Sequence, residues 1–87
     1  MARLLLITGR VQGVGFRYFT YRQAAALDVC GWVRNLPSGQ VEAHFEGSLE
    51  AVLELERHMA SGPRFSSVTA VDATEVDNEE YERFEIR

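Results

Sequence analysis

The spacing of hydrophobic and polar positions changes several times along the chain, and each change predicts a boundary between elements. A run of four apolar residues lies within residues 3–9, which is typical of a buried strand. Over Phe16–Leu27 the apolar positions are three or four residues apart, as on one face of an α-helix, and three consecutive alanines also favour a helix. The first third of the chain therefore predicts a strand, a loop over residues 10–15 and a helix.

The middle of the chain predicts a β-hairpin. Residues 30–35 form its first strand, and in residues 40–46 apolar and polar side chains alternate, as they do on the two faces of a sheet. The segment Leu36-Pro37-Ser38-Gly39 lies between the strands, with proline and glycine where a tight reversal needs them. His44 falls on the polar side of the alternation, so we expect it to be exposed to solvent.

A second helix and two further strands are predicted in the second half of the chain. Ser48 is the expected N-cap of the helix, and Gly62-Pro63 ends it. The helix positions expected to face the core are Leu49, Val52, Leu53 and Met59. We predict a fourth strand over residues 67–73 and a last strand over residues 81–87, with a polar turn between them.

The order of these elements predicts the fold class. The order β-α-β-β-α-β with a terminal strand is typical of the α+β class and, within it, of the ferredoxin-like split βαβ sandwich. We therefore predict a mostly antiparallel five-stranded sheet with two helices on one face. A length of 87 residues suits one domain, so we expect residues 1–87 to form a single domain.

The segment between the first predicted strand and helix is rich in glycine: Gly9-Arg-Val-Gln-Gly-Val-Gly-Phe-Arg17. A glycine-bearing turn before a helix N-terminus can direct several backbone N–H groups toward one anion, and glycine leaves room for the ligand. Arg17 adds a planar guanidinium that suits phosphate. We predict a phosphoryl-binding site formed by Arg17 and by the backbone N–H groups of Gln12, Gly13, Val14, Gly15, Phe16 and Arg17.

Other interpretations compete for the same glycines. A nucleotide-binding P-loop is excluded because no Gly-Lys-Ser/Thr sequence follows. A dinucleotide-binding fold is excluded because the glycine spacing differs and the chain is too short for a doubly wound sheet. Glycines are also common in strand-to-helix turns that bind nothing, so on the glycines alone a turn without a ligand stays open.

Chain geometry predicts that Asn35 lies near Arg17. A helix of about 12 residues leads roughly 18 Å away from the glycine-rich segment, and a strand of about six residues then returns about 20 Å. Asn35 ends that strand, so it reaches the edge of the sheet where Arg17 lies. Its carboxamide offers a donor and an acceptor that could orient a water toward a bound phosphorus atom. Asparagine is also common at the start of a turn, and that interpretation stays open.

The charge distribution favours a small anionic ligand. Residues 1–40 carry five arginines and one aspartate, whereas residues 41–87 carry four arginines and twelve acidic residues. The basic half would attract a small anion, and the acidic half would repel nucleic acid. No apolar run approaches the roughly 20 residues of a membrane span, so no membrane partner is expected. Cys30 is the only cysteine, so we expect no intrachain disulfide and a cytoplasmic location.

The two histidines do not predict a metal site. Neither His44 nor His58 has a second potential ligand at the spacing that metal sites use. We therefore expect both to be surface histidines, and we predict no metal and no cofactor.

Three segments together resemble the acylphosphatase family: Gly9–Arg17, Gly31-Trp-Val-Arg-Asn35 and Gly39-Gln-Val-Glu42. The resemblance covers essentially the whole chain and implies hydrolysis of the carboxyl-phosphate anhydride of a small acyl phosphate to a carboxylate and inorganic phosphate. It also implies that Arg17 binds the phosphoryl oxygens together with loop N–H groups, that Asn35 positions the attacking water, and that no metal is needed. Inorganic phosphate and sulfate are expected to compete with the substrate, and a monomer is expected.

Two alternative functions stay open. The same scaffold can serve as a non-catalytic anion-sensing or regulatory module. An RNA-binding domain of similar topology would need aromatic residues on the open sheet face and a basic surface.

The chain departs from the family pattern at one position next to the proposed site. Many acylphosphatases carry threonine after the asparagine, but this chain has Leu36 there, so any hydroxyl support for Asn35 must come from elsewhere.

Overall fold

The computed structural model describes all residues from 1 to 87 and contains two helices and five strands. Their bounds are β1 (Ala2–Arg10), α1 (Phe16–Leu27), β2 (Cys30–Asn35), β3 (Val41–Glu46), α2 (Leu49–Ser61), β4 (Ser67–Val76) and β5 (Phe84–Ile86). This is the predicted order, and both helices pack on one sheet around a shared core. The predicted ferredoxin-like α+β fold is therefore confirmed. Neither helix is long and apolar enough to cross a membrane.

The five strands form one sheet in the spatial order β4-β1-β3-β2-β5. β1 pairs antiparallel with β3 and β4, and β2 pairs antiparallel with β3, whereas β5 runs parallel to β2. The predicted hairpin is confirmed, with Asn35 opposite Val41 next to the turn. Because β1 and β2 both run antiparallel to β3, their C-terminal ends lie at the same edge of the sheet.

The helix ends follow the capping residues. The Ser48 hydroxyl accepts a hydrogen bond from the Ala51 N–H at the start of α2, as predicted. Gly62 ends α2 with φ of 68°, and its N–H donates to the His58 carbonyl. Asp28 ends α1 in the left-handed conformation that glycine more often occupies, with φ of 58°.

The core-facing side of α2 differs in part from the prediction. Val52, Leu55 and Met59 are fully buried, and their spacing of three and four residues places them on one helix face. Leu49 and Leu53 were predicted to be core residues, and this was wrong: they are 54% and 39% exposed. Leu53 follows Val52 and is rotated about 100° away from it. Leu49 begins the helix, and its side chain is directed beyond the helix N-terminus.

The last two strands differ in length from the prediction. β4 continues to Val76 because its pairing with β1 continues that far. β5 begins only at Phe84. Before it, the backbone N–H groups of Glu79 and Tyr81 donate to the carboxylate of Glu46 and not to a neighbouring strand. The segment before β5 therefore lies over the outer face of the sheet, opposite the helices.

His44 was predicted to be a surface histidine, and this was wrong because it is only 4% exposed. Its ring stacks on Trp32, with 6.1 Å between centroids, and meets the edge of Tyr81 at 5.3 Å. Its Nε2 lies 2.8 Å from a carboxylate oxygen of Glu46. The alternation of β3 correctly placed His44 on the face away from the helices, but the segment that contains Tyr81 covers that face.

Candidate active site

The loop between β1 and α1 depends on two glycines. Gly13 and Gly15 have φ of 73° and 78°, in the left-handed region that side chains disfavour. A Cβ on either residue would meet no other atom within 4 Å, so the backbone conformation and not a lack of space requires glycine. The two residues allow the chain to turn sharply from the end of β1 into the first turn of α1.

The backbone N–H groups of residues 12–17 have no acceptor within the chain. None of them donates a hydrogen bond among those of the turns, loops and helix caps. Gly15 is the N-cap of α1 and has no side chain to accept from the first turn, which also lacks an acidic residue. The loop therefore presents unpaired donors at the positive end of a helix dipole, an arrangement that favours an anion.

Arg17 and Asn35 line the same cavity, which has a volume of about 300 Å³. Asn35 ends β2, and by alternation its side chain shares the face of the fully buried Val33, toward the helices. Since β1 and β2 end at the same edge of the sheet, the Asn35 side chain lies next to the loop that follows β1. The remaining residues of the cavity wall are Val11, Gly13, Gly15, Phe16, Tyr18 and Ile86.

The side-chain carbonyl of Asn35 has no hydrogen-bond partner, although its oxygen is buried. It is the only buried side-chain nitrogen or oxygen atom of the chain in this situation. Leaving a buried acceptor unpaired costs about 1–3 kcal/mol, so such an atom usually has a functional reason. No hydroxyl replaces the family threonine as a hydrogen-bond donor to this oxygen.

Arg17 has no aspartate or glutamate side chain as an ion-pair partner. Its Nη1 donates to the main-chain oxygen of Arg87 at 3.1 Å, which anchors one end of the guanidinium. Arg34, by contrast, is paired with Glu42 at 2.6 Å. The other donors of Arg17 make no hydrogen bond within the chain and are available for an anion.

Only some of the six residues predicted to supply backbone N–H groups line the cavity. Gly13, Gly15, Phe16 and Arg17 line it, whereas Gln12 and Val14 do not. The role of these N–H groups stays a prediction.

The side chain of Gln12 makes a contact that was not predicted from the sequence: its Nε2 donates to the carbonyls of Leu36 and Gln40 at 2.8 Å each. No periodicity marks such a contact, because its partners are main-chain atoms of the β2–β3 turn, more than 20 residues away.

The cavity wall contains no aspartate, glutamate or histidine. Elsewhere, no group of three or more histidine, cysteine, aspartate or glutamate side chains is arranged to hold a metal ion. The guanidinium of Arg22 lies 5.9 Å from the centre of the Tyr18 ring, beside the cavity. The charged character of the site therefore comes from arginine, main-chain N–H groups and the helix dipole.

Comparison with known proteins gives a consistent result. The family model described as acylphosphatase matches residues 4–86. The acylphosphatase of Methanothrix thermoacetophila is 48% identical over 80 residues, which cover 92% of this chain and 89% of that protein. The acylphosphatase of Bifidobacterium longum is 54% identical over 67 residues, which cover 77% of this chain and 69% of that protein.

Solved structures agree with the sequence comparison. The crystal structure of acylphosphatase from Bacillus subtilis superposes with a TM-score of 0.95 at 37% identity, covering 100% of this chain and 99% of that one. The structure of an acylphosphatase from Coxiella burnetii superposes with a TM-score of 0.96 at 32% identity, covering 99% and 90%. With its fold, its family match and its relatives all in agreement, this chain belongs to the acylphosphatase family.

Proposed function

We propose that this protein is an acylphosphatase that hydrolyses the carboxyl-phosphate anhydride of small acyl phosphates to a carboxylate and inorganic phosphate. One observation above all supports this proposal: Arg17, which has no aspartate or glutamate partner, and Asn35, whose side-chain carbonyl has no hydrogen-bond partner, line the same small cavity. Membership of the acylphosphatase family supports it independently. The substrate class follows from the site, because a cavity with cationic and N–H donors suits a phosphoryl group.

In the proposed mechanism, the loop and Arg17 bind the phosphoryl group. The backbone N–H groups of residues 12–17 and the free donors of Arg17 contact its non-bridging oxygens. These donors are held in place before the substrate arrives, so they can stabilise the charge that develops on the oxygens in the transition state. Inorganic phosphate and sulfate present similar oxygens and are expected to compete for the site.

Asn35 is proposed to position the attacking water. Its buried Oδ1 accepts a hydrogen bond from the water, which directs an oxygen lone pair of that water toward phosphorus. The new bond forms between the water oxygen and phosphorus, and the bond from phosphorus to the acyl oxygen breaks. The electron pair of that bond leaves with the carboxylate, and the proton lost by the water passes to solvent.

This scheme needs no general acid, because a carboxylate is already a stable leaving group at neutral pH. The composition of the cavity wall supports that feature, since its only charged side chain is Arg17.

The proposed scheme also includes no metal and no cofactor. The proposed unit of function is residues 1–87 as one domain and a monomer. A cytoplasmic location stays a prediction from the sequence.

Hydrolysis of benzoyl phosphate tests the proposal. The wild-type protein is expected to release benzoate and phosphate with a chelator present. Arg17→Ala is expected to lower kcat/KM by at least about 1000-fold, as loss of an arginine that stabilises a transferring phosphoryl group does. Arg57→Ala, on the exposed side of α2, is the matched control and should retain activity.

Two results would contradict the proposal. If the wild-type protein binds phosphate without hydrolysing acyl phosphates, the chain is a non-catalytic anion-sensing module. If Arg17→Ala retains full activity, the phosphoryl group is bound elsewhere.

A further inference from the structure

The side chain of Gln12 joins the two parts of the proposed site. Its carboxamide NH₂ group donates to the backbone carbonyls of Leu36 and Gln40, at 2.8 Å in each case. Leu36 follows Asn35 directly, and its own N–H donates to the Gln40 carbonyl at 2.8 Å. The glycine-rich loop is therefore hydrogen-bonded to the turn that begins immediately after Asn35.

Few other contacts set the position of the loop relative to that turn. The backbone N–H groups of residues 12–17 make no hydrogen bond within the chain, and the glycines at positions 13 and 15 have no side chains that could contact the turn. Val11 is buried in the hydrophobic core and anchors the start of the loop there. Beyond Val11, the carboxamide of Gln12 is the polar connection between the loop and the β2–β3 turn.

The chemistry of this connection requires a hydrogen-bond donor at the end of the side chain. Both partners are carbonyl oxygens, which accept only, so the NH₂ end of the side chain has to face them. A carboxylate of the same length cannot donate to either carbonyl. A thioether of similar length fills the space but also lacks a donor.

We infer that Gln12 is a positioning residue for the hydrolytic reaction: its carboxamide sets the distance between the phosphate-binding loop and Asn35. This inference rests on the function proposed above. The phosphoryl group is bound by the loop and by Arg17, whereas the water is aimed by Asn35 on β2. Gln12 therefore acts on the alignment of water and phosphorus more than on the affinity for phosphate.

Gln12→Met and Gln12→Glu are the variants that test this inference. We expect kcat to fall by about 10- to 100-fold in both, since a misplacement of about 1 Å can cost about 100-fold in rate. The inhibition constant of inorganic phosphate should change much less, because the loop donors and Arg17 remain. General damage to the site would instead weaken phosphate binding along with kcat. The melting temperature of each variant shows whether it is folded.

Gln40→Ala is the matched control. It removes a carboxamide at the same turn, with its contacts to Thr8 and Ser38, but keeps the backbone carbonyl to which Gln12 donates. We expect this variant to retain kcat. If it loses as much activity as Gln12→Met, any disturbance of the turn has the same effect and the specific role of Gln12 is disproved.

A double-mutant cycle then locates the effect. If Gln12 acts by aligning Asn35, Gln12→Met should cost little further activity in an Asn35→Ala background. Full additivity of the two losses would overturn the inference, and so would unchanged kcat in Gln12→Met. An inactive wild-type protein in the same assay would instead refute the proposed function, and the inference with it.

Discussion

At the scale of single residues, Arg17 and Asn35 divide the work of the proposed site. Arg17 is half-buried and has no aspartate or glutamate partner, so its remaining donors are suited to binding an anion. Asn35 is neutral and has a buried acceptor without a partner, which is suited to a water and not to a phosphate oxygen. Binding and turnover should therefore respond differently when each residue is changed.

Asn35→Ala is expected to lose most of its turnover while phosphate still binds. We predict a loss of about 100- to 1000-fold in kcat, the range typical for removal of one preorganised polar group from an active site. Phosphate should raise the melting temperature of the variant as it raises that of the wild type, because a ligand bound only to the native state stabilises it. Asn78→Ala, at the exposed second asparagine, is the control. Wild-type kcat in Asn35→Ala would exclude the water-positioning role.

At the scale of elements, the β1–α1 loop combines a sharp turn with a helix N-terminus whose donors are unpaired. Its glycines, the limits of α1 and the β2–β3 hairpin all follow local rules, and sequence analysis predicted each of them correctly. The contact between Gln12 and the hairpin turn follows no local rule, because only the pairing of β1 with β3 brings Gln12 close to that turn.

Gly15→Ala tests the loop as an element. Gly15 occupies the N-cap with φ of 78°, so an alanine there is expected to destabilise the protein by about 1–2 kcal/mol. Relaxation of that strain would also move the N–H groups of the first helical turn and weaken phosphate inhibition. Gly47→Ala is the control, since its φ is not in the left-handed region and its Cβ would make only ordinary contacts, the nearest at 3.6 Å. Urea unfolding and phosphate inhibition constants measure both effects, and wild-type values for Gly15→Ala would contradict the prediction.

At the scale of the whole molecule, Glu46 holds the segment before β5 against the outer face of the sheet. Burial opposes ionisation of this carboxyl, but hydrogen bonds from the Glu79 N–H, the His44 ring and the Tyr81 N–H outweigh it and hold the pKa of Glu46 below its usual value. Beyond that segment, β5 pairs with β2, and its Ile86 reaches the cavity wall. The segment that Glu46 holds therefore leads into the strand that carries Ile86.

This arrangement predicts how stability depends on pH. A carboxyl whose pKa is lowered by folding stabilises the native state above its unfolded pKa, and that contribution is lost as the pH falls through the folded pKa. Glu46→Gln should therefore be less stable at neutral pH, by about 1–3 kcal/mol for the donors left poorly paired, and its stability should fall less than that of the wild type below about pH 4.5. Urea unfolding across this range tests both statements.

Glu82→Gln is the control for this prediction, since Glu82 is exposed and makes no hydrogen bond or ion pair. It should follow the pH dependence of the wild type. If the stability of Glu46→Gln also follows the pH dependence of the wild type, Glu46 does not hold the segment before β5 by its charge.

The outer face of the sheet also bears on the RNA-binding alternative. Trp32 and His44 lie on that face, but the segment with Tyr81 packs against them, and they are only 9% and 4% exposed. Base stacking needs open aromatic faces. The alternation of β3 could not reveal this, because alternation tells which face a side chain is on and not what covers that face.

The sequence by itself determined the features that depend on neighbouring residues: the helical spacing of α1, the Ser48 cap, the glycine-bearing loop and the alternation of the hairpin strands. From these, strand and helix lengths were enough to place Arg17 and Asn35 at one edge of the sheet. Tertiary structure alone decided the burial of His44, the late start of β5 and the orphan carbonyl of Asn35. Each of these depends on groups from distant parts of the chain, and only the packed molecule brings such groups together.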